Sequence, residues 1–463
     1  MNKLMSRRAL LRTLGVSGVA LTAAAVGCQP KTVTVKETVV VEKAVKETVV
    51  VEKQVTSAVP AAPEAINLRF LARLGNQGDH FSLFAQRFNE KHYPDIFMKI
   101  ELFGNADYFQ KLDTMLAGQT VGDGFWIYVG GGFDQYVASD IYAPLDDAVA
   151  ASSYDLGQFF PESIETLTVN GQLYGMPWTL HLGSACATYY YKPLFDEAGL
   201  DYPDESWEWT DLIETAKKLN DPDNGVFGLR CENYYAGNPV TLARSYGGDL
   251  LSKDGTTCTL DDEATRQGLQ VFSDLYMEHQ VSPASSQMLG SWQQMFAGGK
   301  LAMAQTGFWG KGVGNYVAPD AWGTVASPYG PAGHGNTQFV DVVGVTSTSE
   351  HPAEAFAFLT EVCSYEAGMD IWQKRGSVPG SRPDVWNSEA ALGDEHFKVF
   401  SEMLNKDGMP PKLPLPANFR EKEYWSEIDK SLEPIYLGEK ELDELIGDAV
   451  ANCQPVLDQS SLF

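Results

Sequence analysis

The stretch from Asn170 to Leu200 constrains this chain more than any other. It opens on an Asn170-Gly171 turn and runs through Gln-Leu-Tyr-Gly-Met-Pro-Trp178, a short apolar segment ended by Pro177. After Thr179-Leu-His-Leu-Gly183 it resumes as Ser184-Ala-Cys-Ala-Thr-Tyr-Tyr-Tyr191, a run rich in β-branched and aromatic residues. Both pieces read as extended chain, and a break separates them. The part of the chain that follows its N-terminal segments, about 400 residues, exceeds what one core usually holds, so two lobes are expected.

Residues 1–28 read as a targeting segment. Ser6-Arg7-Arg8-Ala9-Leu10-Leu11-Arg12 carries a twin-arginine pair, and Leu14 to Val26 is an apolar core too short for a permanent membrane helix. The segment ends Ala25-Val26-Gly27-Cys28, which looks like a lipobox with Ala25 where Leu is usual. Cys28 is therefore the expected lipidation site, and the expected location is the extracytoplasmic face of the cell envelope, with a lipid anchor in the membrane. Residues 29–65 contain Lys36-Glu-Thr-Val-Val-Val-Glu-Lys43 and its repeat at Lys46 to Lys53, and no aromatic residue. Such a segment cannot bury a core and reads as a low-complexity tether.

The chain carries a formal charge of -27, and removing the four basic residues of the first 28 takes it to -31. A surface that acidic repels phosphate backbones, so no nucleic-acid partner is expected. Five cysteines follow Cys28, at 186, 231, 258, 363 and 453. Five is odd, so at least one thiol stays free or pairs between molecules. Cys231 with Cys258 is the first pair to test; five buried reduced thiols is the equal alternative. No C-x-x-C spacing suggests zinc, the seven histidines are scattered, and neither a metal site nor a cofactor is expected.

The central stretch resembles the bacterial extracellular solute-binding proteins of the sugar-binding kind, the family that includes maltose-binding protein. The shared pattern is G-x-L-Y-G-x-P, a polar stretch, a strand ending Y-Y-N-K with Tyr191 here in place of Asn, and L-F-x-x-A-G-L. A second pattern, F-x-x-G-K-x-A-M-x-x-x-G-x-W, matches Phe296 to Trp309. The resemblance implies an α/β, two-lobe periplasmic-binding-protein fold of type II, each lobe a mixed sheet flanked by helices, with the ligand cleft at the hinge. The expected N-terminal lobe comprises 66–179 plus 327–374 and the C-terminal lobe 180–326 plus 375–463.

Taken in order, Ile66 to Leu74 reads as the first strand and His80 to Tyr93 as a helix bearing Phe81, Phe84, Ala85 and Phe88. The loop between them supplies Asn76, Gln77 and Asp79 beyond a strand's carboxyl end, where ligands sit in open α/β sheets; Asp79 alternatively caps the helix. Gly124 to Val129 reads as a strand opening into Gly130-Gly131-Gly132, whose backbone N–H groups allow close approach of a ligand, so Gly131 is a candidate. The resemblance adds Trp126 from the end of that strand. Trp178 lies where the resemblance places the interlobe crossing and offers an aromatic face for sugar C–H groups, while His181 offers a hydrogen bond. Ser206 is the expected N-cap of a helix to Leu219 whose tryptophans are core. Asp261 is the expected cap of a helix to about His279.

The resemblance turns the loop bearing Tyr234, Tyr235 and Asn238 toward the cleft and stacks Trp309 on the ligand. Ala321 to Pro328 reads as a strand returning to the first lobe. Asp341, in the apolar strand Val340 to Val345, is a ligand contact or an edge residue, and Arg382 falls at the last crossing. The implied function is that of a monomeric, lipid-anchored substrate-binding component of an ABC importer. It captures a mono- or oligosaccharide by lobe closure and delivers it to permease subunits in the membrane. The alternatives are the same fold binding a polyamine, metal or peptide, and a secreted carbohydrate-active enzyme. No enzymatic activity is expected: glycoside hydrolysis needs a carboxylate pair that no motif nominates, and G-x-S-x-G and H-E-x-x-H are both absent.

Overall fold

The computed structural model describes residues 65–461 apart from 105, 106 and 376. The targeting segment, Cys28 and the tether through Glu64 lie outside the described residues. Contacts divide the chain at Glu64 and Ala65, and all described residues belong to the second unit.

Strands rich in β-branched and aromatic residues, several of them buried along their whole length, form two main sheets beside a short hairpin at 168–173. The first has the order β2-β1-β3-β9-β4, with β1 Ile66–Arg73, β2 Ile96–Phe103, β3 Gly124–Tyr128, β4 Met176–His181 and β9 Phe339–Val345. Strands β1 to β3 are parallel, and β9 runs antiparallel between β3 and β4. The second has the order β8-β5-β7-β6, with β5 Ala187–Tyr191, β6 Phe227–Arg230, β7 Leu301–Thr306 and β8 Trp322–Ala326. The reading of 321–328 as a return to the first lobe is corrected: β8 pairs antiparallel with β5, Trp322 opposite Tyr191, and the return comes only after it.

Helices cover both sheets with apolar stripes. In α1, Asn76–His92, the residues Phe81, Phe84, Ala85 and Phe88 recur at i, i+3, i+4 and i+7 and are all buried against the first sheet. The short helices α2, Tyr108–Ala117, and α3, Phe133–Ala138, follow β2 and β3. In α4, Trp209–Leu219, Trp209, Leu212, Ala216 and Leu219 are buried. Its first turn corrects the capping expectation. Trp207 and Trp209 exchange backbone hydrogen bonds with Tyr329, which holds Ser206 outside the helix, and the Asp211 carboxylate accepts from the N–H of Glu208 instead. Likewise α6, Glu263–Tyr276, starts from Asp262 rather than Asp261 and ends before His279. The helix α5, Asn238–Ser245, packs beneath α6, while α7, Pro352–Val362, returns to the first core. Further on, α8 spans Glu395–Asp407, and α9, Glu421–Tyr436, and α10, Leu442–Leu457, close the second core.

All five later cysteines are buried with free thiols, and the Cys231–Cys258 pairing is corrected because the two thiols have different neighbours. The Cys231 thiol meets Ser282, and the Cys258 thiol meets Cys453. Among the described residues no helix is long and apolar enough to cross a membrane.

Candidate ligand-binding site

Strand ends from both sheets converge on a cavity of about 460 Å³. The first sheet supplies Arg73 from the last position of β1, Trp126 and Tyr128 from β3, His181 from the end of β4, and Phe339 and Asp341 from the start of β9. The second supplies Glu232, Tyr234 and Ala236 from the loop after β6, and Trp309 from the turn after β7. Gln77, Phe109, Ser184, Ser377 and Val378 complete the walls. Strand register explains the grouping, because Asp341 pairs with Tyr128 and Phe339 with His181.

The aromatic groups are held by one another and by charge. The His181 ring stacks on Phe339 at 5.5 Å and meets the edge of Trp309 at 5.5 Å. Its Nε2 lies 3.6 Å from an Asp341 oxygen, while its Nδ1 is buried without a partner. The Arg73 guanidinium lies 4.2 Å over the Trp126 ring, and its Nε donates to Gln77 Oε1 at 2.8 Å. Burial lowers the Arg73 pKa, and the facing Asp341 opposes that effect. Glu232 is committed: Arg230 pairs with it at 2.8 Å and the Thr306 hydroxyl donates to it at 2.6 Å. The Tyr234 hydroxyl donates to Ser184, and burial pushes both Tyr234 and Tyr128 up, the latter to about 12, so both phenols stay protonated donors.

Of the residues singled out in sequence, Gln77, Trp126, His181, Tyr234, Trp309 and Asp341 come together here. The others lie elsewhere. Gly75, at φ 95°, turns the chain so sharply that the helix begins at Asn76, and the anticipated loop is the first turn of α1. Asn76 donates to the Arg375 carbonyl at 2.7 Å, and Asp79 is exposed, 3.9 Å from Arg375. Gly131 and Tyr235 line an adjoining cavity of about 380 Å³, where Tyr235 stacks on Trp425 at 4.7 Å. Asn238 is fully buried, its Oδ1 accepting from the backbone N–H of Glu232 at 2.7 Å. Arg382 pairs with Asp384 at 2.6 Å and donates to Gln158.

Trp178 is corrected from cleft to core. Pro177 opposes Val342 and Thr179 opposes Asp341, so Trp178 is the extra residue of a β-bulge. Its indole packs on Phe81 at 4.8 Å and donates from Nε1 to His80 Nε2 at 3.2 Å. An indole only donates, so His80 carries its proton on Nδ1 and gives it to Asp370 at 3.3 Å. Burial lowers the His80 pKa, while hydrogen bonds from His80 and Arg375 hold Asp370 below the usual carboxylate range. Sequence reasoning missed Arg73 and Tyr128; the signal for both was their position as last residues of strands aimed at the cleft.

A larger groove of about 940 Å³ lies beside Tyr329 and the 407–415 segment. Its wall includes several glycines and prolines, and its Arg244 is already occupied, pairing with Asp249 and donating to the carbonyls of Pro411 and Lys412. The cavity of about 460 Å³ brings aromatic and polar groups from the strand ends of both sheets onto one space, and that mix favours it as the ligand site.

A family model described as bacterial extracellular solute-binding protein matches residues 75–369. A binding protein of Brucella abortus (strain 2308) is 25% identical over 385 residues, which cover 80% of this chain and 87% of that protein. A mannitol-binding protein of Pseudomonas aeruginosa is 32% identical over 171 residues, 34% of this chain and 36% of that protein. Among solved structures, an ABC substrate-binding protein of Listeria monocytogenes in complex with cycloalternan matches with a TM-score of 0.75 at 20% identity, covering 85% of this chain and 100% of the other.

Proposed function

Because this chain belongs to the bacterial extracellular solute-binding proteins, we propose that it captures a carbohydrate or polyol between its two sheets and passes it unchanged to the permease of an ABC importer. The observation that carries this reading is the convergence of Trp309, Tyr234, His181 and Asp341 with the Arg73–Trp126 pair on one cavity of about 460 Å³. Polyhydroxylated ligands need aromatic faces for their C–H patches and planar or forked polar groups for their hydroxyls. The mannitol-binding relative supports this ligand class. Glu232 and Asp341 already have partners in Arg230 and His181, which argues for binding rather than acid–base turnover.

In this reading the lobes comprise 66–179 plus 327–374 and 180–326 plus 375–463. Sheet membership supports the division, since only the end of β4 falls outside its set. In the same reading, export through the twin-arginine segment and lipidation at Cys28 hold the protein at the extracytoplasmic face of the membrane, with residues 29–65 as the spacer.

The test is thermal unfolding against a panel of polyols, monosaccharides and disaccharides, with a polyamine, a divalent metal and a peptide alongside. A ligand that binds only the folded state adds about 2.7 kcal/mol at a hundredfold excess over Kd. A saturable rise in Tm with one sugar or polyol is expected. A rise with only the polyamine, metal or peptide overturns the reading.

A further inference from the structure

The five later cysteines are not equivalent. Cys186, Cys231 and Cys363 are buried singly, and burial pushes each thiol up, Cys186 and Cys231 to about 12. Cys258 and Cys453, 195 positions apart, face each other through their thiols. The Gln454 side chain ties the two segments together: the Cys258 N–H donates to Gln454 Oε1 at 2.9 Å, and Gln454 Nε2 donates to the Thr256 carbonyl at 3.1 Å. Cys258 closes the β-bridge to Leu251, and Cys453 lies on α10. Tyr424 of α9 packs beside both, its hydroxyl donating to the Leu250 carbonyl at 2.7 Å.

We propose that Cys258 and Cys453 form a disulfide in the exported protein, fastening the C-terminal helix α10 to the 251–258 segment of the second core. The two thiols already meet, and the Gln454 side chain holds their segments against each other, as a disulfide between them requires. The hydrogen bond from Cys453 holds the Cys258 thiol below its ordinary range and pushes Cys453 up, so Cys258 is the nucleophile. The oxidant is a disulfide of the extracytoplasmic thiol-exchange class. The Cys258 thiolate attacks one sulfur of that disulfide, forming a mixed disulfide and releasing one thiolate. Cys453 then loses its proton and attacks the Cys258 sulfur, releasing the second thiolate. Two electrons pass to the oxidant, and the two protons end on its released thiols. Both cysteines are at most 3% exposed, so exchange proceeds when the end of α10 opens; the turn at 252–257 on its other side is largely exposed.

The bond closes a loop of nearly two hundred residues and ties down α10 and, through it, α9. From α9, Lys422 reaches Asp113 of α2 at 2.6 Å, and Tyr235, stacked on Trp425 of α9, donates to the Gly130 carbonyl at 3.2 Å. The staple therefore steadies contacts between the second core and the first sheet's helices. This inference is independent of the ligand.

The test uses the full chain, folded and treated with oxidised glutathione, then alkylated after unfolding without reductant and mapped by mass spectrometry. The expected result is a linked pair of peptides carrying Cys258 and Cys453, reversible by dithiothreitol, with Cys186, Cys231 and Cys363 alkylated. Oxidation should raise Tm by roughly 2–6 °C, and Cys258→Ser and Cys453→Ser should each abolish the rise. Complete alkylation of all five cysteines after oxidation, or a link between any other two, overturns the proposal, and mapping the wild-type protein decides it even where a variant folds poorly.

Discussion

Asp134 provides a perturbation whose size follows from its surroundings. It stands in the first turn of α3 beside the glycine turn at 130–132, with Oδ2 sealed from solvent and without a partner. Burial raises its carboxyl to about 6 against the opposing pull of Lys412. Glu421, at the start of α9 and fully buried, lies within its field with both oxygens unpartnered and is pushed well above the carboxylate range. A carboxyl that is harder to ionise when folded binds more protons in the native than in the unfolded state, so stability falls as pH rises between the two values. From 3.8 to about 6, at about 1.4 kcal/mol per pH unit, the cost approaches about 3 kcal/mol above pH 6 and vanishes below about pH 4. Asp134→Asn keeps the shape and removes the charge, with no hydrogen bond lost at Oδ2. Its advantage over the wild type should therefore grow across pH 4 to 6 and then level off. With an unfolding entropy of about 2.1 cal/mol/K per residue, that is a Tm gap of about 3–4 °C at pH 7. Thermal unfolding at half-unit pH intervals reads it directly. A gap that is constant with pH, or a variant less stable at pH 7, would refute the electrostatic account.

The two central tryptophans should separate cleanly. Trp309→Ala removes an aromatic wall of the cavity and should weaken binding of the cognate sugar about 10- to 100-fold, measured calorimetrically, with little change in Tm. Trp178→Ala leaves a core void and strands His80 Nε2, so denaturant unfolding should show a loss of about 3–5 kcal/mol. Gly183, between β4 and β5, sits at φ 102°, and a Cβ there would lie 3.0 Å from the Thr337 hydroxyl. Gly183→Ala should cost about 1–3 kcal/mol, and an unchanged Tm would show that the segment yields freely.

Much of this arrangement was legible because it rests on short-range patterns. The aromatic stripe of α1, the β-branched strands and the W after the F-x-x-G-K pattern each follow from local spacing, and Trp309 accordingly lies at the cavity. Trp178 did not follow, because a one-residue bulge set by the facing strand β9 decides which way it points, and that strand is more than 160 positions away. Arg73 and Tyr128 carry no motif; they matter only because β1 and β3 end at the same edge. The Cys258–Cys453 contact depends on α10 folding back beneath the 251–258 segment, a pairing no spacing rule encodes.

The placement of β9 has a consequence for how the molecule is made. It is the fourth strand in the order of the first sheet, yet it is the last of the nine to be synthesised, so β3 and β4 lack their shared neighbour until nearly three-quarters of the chain has been translated. The N-terminal half cannot complete itself on the ribosome. Native assembly must await the distant insert, a high-contact-order step that slows folding and leaves open edges exposed in the meantime. Under the twin-arginine export proposed above, which carries proteins already folded, insertion of β9 is the step after which the chain becomes fit to leave the compartment of its synthesis.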